Sequence, residues 1–272
     1  MGDGKRLLPV LVATLIALTG VNAGAATAPV GGKTQYDHCL SRAATSPKEA
    51  LSEALEWQKT GGGPASDHCL AVALVGLHRY SEAAARLEGL AHGGFASDPP
   101  MRAALFDQAG NAWLLAGRAD NAIGSFTAAL AIDPSDADVL ADRARANAVQ
   151  GNWARADSDL SAALLVDPSR VDLLVLRGSA RHALGRKADA RADFDQALVL
   201  RPGYADALVE RGTMKFEAGD LSGARADWNA TISAASTSAA AGEARQHLAE
   251  TERPPPSTPK PPAGAPKPTR PH

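Results

Sequence analysis

The feature that most constrains the fold of this 272-residue chain is an internal period of about 34 residues in its central part. Pro134, Pro168 and Pro202 follow this step. Five further columns hold one kind of residue over four copies: Gly117, Gly151, Gly185 and Gly219; Ala122, Ala156, Ala190 and Ala224; Phe126, Leu160, Phe194 and Trp228; Gly110, Ala144, Gly178 and Gly212; and Phe106, Leu140, Leu174 and Leu208. Self-similarity at such a period is typical of a repeat array in which each unit packs on its neighbours.

Each unit is predicted to contain two helices. The first carries its apolar leader and a small residue four positions later, which places both on one helical face. A glycine then ends the helix, as is common at helix C-termini. The second helix repeats alanine, bulky and alanine positions at steps of four and three and stops near the proline. One such hairpin cannot bury its own apolar face, so several must stack.

These columns resemble the tetratricopeptide repeat (TPR), and the chain is similar to exported bacterial members of that family. The resemblance is strong from Ala103 to Ser236, although the fourth copy has Thr231 for an alanine and Ser236 for the proline. It implies an all-α fold, a right-handed α-solenoid of about six helix-turn-helix hairpins with a C-terminal capping helix.

The N-terminus has the pattern of a secretory signal. Lys5 and Arg6 precede an apolar run at 7–21, and Ala23-Gly24-Ala25 matches a cleavage site. The run is shorter than the ~20 residues that a membrane-spanning helix needs. We therefore expect cleavage after Ala25 and a periplasmic protein with no membrane span once the signal is removed. The alternative is an uncleaved signal that anchors the chain to the inner membrane.

The remaining segments follow from composition and spacing. We predict a signal peptide at 1–25, a linker at 26–33, two divergent TPR-like hairpins at 34–97, a loop at 98–102, four regular repeats at 103–236, a capping helix at 237–252 and a disordered proline-rich basic tail at 253–272. Ser46 and Glu49 have the spacing of a capping box, with Pro47 at the first helical position. The tail has four basic residues and no acid, and it is either a spacer or a docking strip.

The tetrapeptide DHCL occurs twice, 30 residues apart, and contains the two cysteines of the chain, Cys39 and Cys69. In an oxidising compartment such a pair is expected to form a disulfide. Free thiols and a metal site are the alternatives. Adjacent side chains on a helix point ~100° apart, so His38 with Cys39, or His68 with Cys69, cannot readily hold one ion.

Two charged columns also keep the period. In three repeats the basic partner precedes the acidic one by the same interval, in the pairs Arg143 and Asp159, Arg177 and Asp193, and Arg211 and Asp227. This spacing predicts ion pairs between the two helices of a hairpin. The alternative is a row of arginines that binds an acidic ligand.

No catalytic motif is present: the chain has no GxSxG, HExxH, CxxC or Walker loop. We therefore predict no enzymatic activity and no cofactor. The acidic part of the chain between signal and tail disfavours nucleic acid as a partner.

The resemblance implies that first helices line a concave groove that binds a peptide or helix. The corresponding positions are Asp107, Asn111, Leu114, Ala141, Arg145, Ala148, Val175, Ser179, His182, Val209, Thr213 and Phe216. Their composition predicts an apolar or amphipathic ligand. Of the Lys, Asn and Arg that clamp a terminal carboxylate in some members, Asn111 alone is present.

The predicted function is thus a protein–protein interaction scaffold or adaptor in the bacterial cell envelope. One alternative is a metal- or redox-responsive binding protein that uses the region of Cys39 and Cys69. Another alternative is a peripheral subunit of an envelope complex that assembles or exports a polymer. The partner protein and the oligomeric state are not specified by the sequence.

Overall fold

The computed structural model describes residues 30–93 and 97–252, which form thirteen helices and no strand. In chain order these are α1 (Val30–Thr45), α2 (Pro47–Lys59), α3 (Gly63–Gly76), α4 (Tyr80–His92), α5 (Pro99–Leu115), α6 (Ala119–Leu130), α7 (Ala137–Val149), α8 (Trp153–Val166), α9 (Val171–Ala183), α10 (Lys187–Leu200), α11 (Ala205–Glu217), α12 (Leu221–Ala234) and α13 (Ala239–Glu252). The predicted signal and tail lie outside the described residues. None of the described helices is long and apolar enough to cross a membrane.

Successive helices pack against each other, and first helices also contact the next first helix, as α5 does with α7 and α9 with α11. The described part of the chain is therefore an all-α solenoid of six hairpins closed by α13, which confirms the predicted fold class. At the C-terminal end α13 takes the place of a further first helix. Its Ala240 and Ala244 pack with Val209 and Trp228, and the imidazole of His247 stacks on the Trp228 ring at 5.0 Å.

The turn inside each regular hairpin depends on a glycine with a left-handed backbone. Gly117, Gly151, Gly185 and Gly219 have φ angles of 72°, 73°, 76° and 85°. Glycine adopts this region without the steric penalty that a Cβ atom brings. The glycine column of the sequence therefore marks the point where each first helix ends.

The contact between the helices of a hairpin explains another pair of columns. Glycine faces an aromatic ring in three regular repeats: an ideal Cβ would lie 2.6 Å from Phe126 at Gly110, 2.5 Å from Phe194 at Gly178 and 2.7 Å from Trp228 at Gly212. In the remaining repeat the same places hold the buried pair Ala144 and Leu160. The small residue thus varies with the size of the side chain opposite.

This complementarity predicts that Gly178→Ala lowers the free energy of unfolding by about 1–3 kcal/mol, because the fully buried Phe194 ring has no room to move. Phe194→Leu in the same chain should restore much of the loss by recreating the Ala144–Leu160 pairing. Denaturant unfolding of the single and double variants measures both effects. Gly124→Ala is the control, since its Cβ would meet open space in α6, and it should stabilise by up to about 1 kcal/mol. Equal effects of the two glycine substitutions would contradict the prediction.

The structure corrects two predicted boundaries and one cap. The linker at 26–33 is too long, since α1 begins at Val30, and the loop at 98–102 is helical from Pro99, which occupies the first turn of α5. Ser46 makes no side-chain cap bond. Its amide instead donates to the Arg42 carbonyl at 2.7 Å, so α1 and α2 join too tightly for a capping box.

Candidate binding groove

The arginine column lies between the two helices of the last three hairpins. Nε and Nη2 of Arg143 donate to Asp159 at 3.0 and 2.7 Å. Arg177 binds Asp193 at 3.0 and 2.7 Å, and Arg211 binds Asp227 at 2.9 and 2.8 Å. The three carboxylates are buried. The arginines are therefore occupied by two-point ion pairs and do not form a free row for an acidic ligand.

Each of these carboxylates accepts a further donor from the same first helix, four residues beyond the arginine. The donor is Asn147 for Asp159 at 3.4 Å, Arg181 for Asp193 at 2.8 Å and Lys215 for Asp227 at 2.7 Å. Burial favours the neutral form of Asp227, but the hydrogen bonds from Arg211 and Lys215 outweigh it and lower its pKa. The network joins the two helices of a hairpin at a fixed register.

Several positions predicted to line the groove are instead part of the core. Val175, Ser179 and Val209 are buried against neighbouring helices, at 3%, 3% and 0% exposure, so their assignment as groove residues is corrected. Ala141 and Ala148 are buried as well. The helical period predicts on which face of a helix a residue lies, but it does not predict how closely the next first helix packs against that face.

Asn111 is buried too, at 7% exposure, whereas the remaining predicted positions keep part of their side chains accessible. Phe216 is exposed and its ring lies 5.8 Å from that of Trp228. His182 bonds Glu217 at 2.9 Å, and Thr213 lies 3.4 Å from the His247 imidazole. Leu114 packs at the edge of the core.

One cluster of groove residues joins α5 to α7. The Asn111 amide donates to the Asp107 carboxylate at 3.2 Å and to the Asp142 carboxylate at 3.0 Å. Arg145 donates to the other oxygen of Asp142. Burial, followed by the charge of Asp142, raises the pKa of Asp107 to about 8. Burial also raises the pKa of Asp142, although Arg145 and Asn111 act against it.

A second cluster joins α11 to α13. Glu210 is buried, and its burial, followed by the nearby charge of Glu243, raises its pKa to about 8. Burial, against a hydrogen bond from Tyr204 and with the charge of Glu243, also raises the pKa of Asp206. Within residues 30–93 and 97–252, neither Glu210 nor Asp206 forms an ion pair with a basic side chain.

Between the clusters, Arg170 bridges Asp172 and Asp138 at 2.8 and 2.9 Å. Eight acids of first helices α5 to α13 thus follow one another along the array, with Tyr204 lying near both Asp172 and Asp206. We call them the acidic row: Asp107, Asp138, Asp142, Asp172, Asp206, Glu210, Glu217 and Glu243. Only Asp107 of this row was predicted as a site residue. A signal was present in the sequence, because Asp138, Asp172 and Asp206 also recur at the period of the repeat.

The two cysteines lie in the divergent N-terminal hairpins. Cys39 in α1 and Cys69 in α3 are fully buried with their sulfur atoms in contact and their Cα atoms 6.0 Å apart, a separation that a disulfide spans. The adjacent histidines do not join them. His38 lies 3.4 Å from Glu53, and His68 bonds Tyr36 and Gln108. The described residues contain no group of three or more ligand side chains suited to a metal ion.

Comparisons with known proteins agree with this geometry. A family model described as tetratricopeptide repeat matches residues 70–137, 141–205 and 183–240. No curated protein matches the chain. Two solved structures of MamA align over 66% and 64% of this chain and 97% and 92% of theirs, at 15% and 14% identity and TM-scores of 0.53 and 0.55.

A shorter match is the second TPR domain of human RPAP3 in complex with an HSP70 peptide, at 32% identity over 43% of this chain and 98% of that one, with a TM-score of 0.42. The MamA likeness supports the fold, and the family model covers more than half of the chain. The protein belongs to the tetratricopeptide repeat family, whose domains are protein-interaction modules.

Proposed function

We propose that this protein is a non-catalytic scaffold or adaptor, exported to the bacterial cell envelope, which binds a peptide or helical segment of a partner protein in the groove of its first helices. The observation that carries the proposal is the acidic row. Burial raises the pKa of its members Asp107 and Glu210 to about 8, and neither has a basic partner among the described residues. Acids without basic partners are available to pair with the basic groups of a bound ligand.

The row also changes the ligand that the groove suits. With Val175 and Val209 buried, little apolar surface remains there beyond Phe216 and the edge of Leu114. The ligand is therefore polar and charged rather than mainly apolar, in contrast to the expectation from the sequence.

Site-specific photo-crosslinking in cells tests the binding face. A photoreactive residue at Phe216, on first helix α11, should give a discrete adduct with a partner, whereas one at Val199 should not. Val199 is a matched control because it is 80% exposed and lies on second helix α10. Equal labelling at both positions, or labelling at Val199 alone, would contradict binding in the groove.

The proposal of export rests on the composition of the predicted signal peptide. Fractionation of the same cells tests it. The mature chain should be recovered from the periplasmic fraction with its N-terminus at Ala26. Recovery from the cytoplasm with Met1 intact would refute export, and recovery in the membrane with Met1 intact would favour the anchored alternative. In the exported protein we further propose that Cys39 and Cys69 are bonded.

A further inference from the structure

We infer that Asp107, Asn111 and Asp142 form a pocket for the cationic head of a lysine or arginine side chain, and that the segment bound in the groove is therefore basic. This inference rests on the proposed function and names the chemistry of the partner. We refer to these three residues as the cation pocket.

The first support is an unused acceptor. Asn111 is 7% exposed, both hydrogens of its amide face the carboxylates of Asp107 and Asp142 or the Asp107 carbonyl, and its Oδ1 has no hydrogen-bond partner among the described residues. A buried polar atom is stabilised by a hydrogen-bond partner. Oδ1 accepts hydrogen bonds, and lysine offers three donors and arginine five.

The second support is the local balance of charge. Asp142 is shared between Asn111 and Arg145, whereas Asp107 receives the Asn111 amide and no basic side chain of the described chain. Asp136 and Asp138 at the start of α7 add further negative charge. Ionisation of Asp107 would therefore add a negative charge without a basic partner to a partly desolvated site, where an ion pair with a ligand cation is stronger than on an open surface.

The third support is a similar site farther along the groove. Glu210, with Asp206 and Glu243, forms another buried acidic cluster three first helices away. Packed helices lie about 8–10 Å apart, so the two sites are separated by roughly 25–30 Å. At about 3.3 Å per residue, an extended segment would span this distance with basic residues about eight or nine positions apart.

Calorimetric titration of the mature full-length protein tests the pocket. The probe is a Gly/Ser/Pro peptide with two lysines nine positions apart, and the comparison peptide has glutamates in their place. The lysine peptide should bind and the glutamate peptide should not. Asp107→Asn should weaken lysine-peptide binding at least tenfold, and Asp142→Asn provides a second test if the first variant folds poorly.

Asp189→Asn is the charge-matched control, since it removes an exposed carboxylate of second helix α10. It should change the affinity less than twofold. Equal losses of affinity in Asp107→Asn and Asp189→Asn would indicate diffuse electrostatic attraction and would overturn the pocket. Unchanged affinity in both variants would overturn it as well. If the peptide binds only after residues 253–272 are removed, the basic tail of the chain occupies the site and the inference of a partner segment fails.

Proton linkage gives an independent readout. Asp107 has a pKa near 8 in the presence of Asp136, Asp138 and Asp142, so at pH 6.5 it is mostly neutral in the free protein. Lysine remains charged throughout this range. Affinity for the lysine peptide should therefore rise severalfold between pH 6.5 and 8.5, and the rise should be smaller in Asp107→Asn, where Glu210, whose pKa is also about 8, still contributes. An unchanged pH profile in that variant would overturn the role of Asp107.

The outcomes separate this inference from the proposed function. Crosslinking from Phe216 with no effect of Asp107→Asn on partner binding would keep the groove as the binding face and reject its cation pocket. Failure of crosslinking from Phe216 while the lysine peptide binds would keep the pocket and reject its use by a cellular partner.

Discussion

Asp193→Ala is expected to lower the free energy of unfolding by about 3–5 kcal/mol, because it leaves Arg177 without a carboxylate partner and leaves Arg181 with Asp157 alone. The Asp193 carboxylate is 2% exposed. It accepts hydrogen bonds from Nε and Nη2 of Arg177 and from Nη1 of Arg181. Both guanidinium groups are themselves largely buried, so water cannot replace the lost acceptor. Denaturant unfolding with an unchanged m-value measures the loss.

A double-mutant cycle shows whether the loss belongs to the ion pair. Arg177→Ala alone should cost less than Asp193→Ala, since Arg181 still pairs the carboxylate. The Arg177→Ala/Asp193→Ala double variant should lose less than the sum of the two single variants. Asp189→Asn serves as the exposed control and should cost below about 1 kcal/mol. Additive losses would show that the residues act independently and would reject the pairing.

The three Arg–Asp pairs, Arg143–Asp159, Arg177–Asp193 and Arg211–Asp227, show how far periodicity predicts contacts. Arginine and aspartate both keep their residue type over the last three regular repeats, so their constant separation is sufficient to predict the partnership. The third donor was missed because its column changes type, from Asn147 to Arg181 to Lys215. The three residues share a position and the ability to donate a hydrogen bond, and only the geometry shows that they serve the same acceptor column.

The groove was predicted less well, for a physical reason. Spacing places Val175 and Val209 on the correct helices, but their exposure depends on how closely consecutive first helices approach. The acidic row is also hard to predict from the sequence, because the column that holds Asp142 and Glu210 has Leu176 between them. Contacts such as that of Asn111 with Asp142 cross from one repeat to the next, and no periodicity within a repeat reports them.

Loss of the bond proposed between Cys39 and Cys69 is expected to destabilise the N-terminal end of the array by about 3–4 kcal/mol in the chain-entropy model. The bond would join α1 to α3 across a sequence separation of 30. Thiol counting on unreduced, unfolded protein should find no free thiol, and the Cys39→Ala/Cys69→Ala variant should show the loss without responding to reductant. Two reactive thiols in the unreduced protein would rule the bond out.

The position of the bond predicts where that loss appears. Among the described helices, α1 packs mainly on α2 and α3, and no earlier hairpin covers its other side within the described residues. In a repeat array each unit is stabilised by its immediate neighbours, so a change at one end need not reach the middle. Hydrogen exchange should therefore accelerate in α1 to α3 of the double variant, while α9 and α10, held by the Arg177–Asp193 pair, keep their protection. Uniform acceleration along the chain would show that the array unfolds as one unit, and the cysteine bond would then stabilise the whole solenoid rather than its first hairpins.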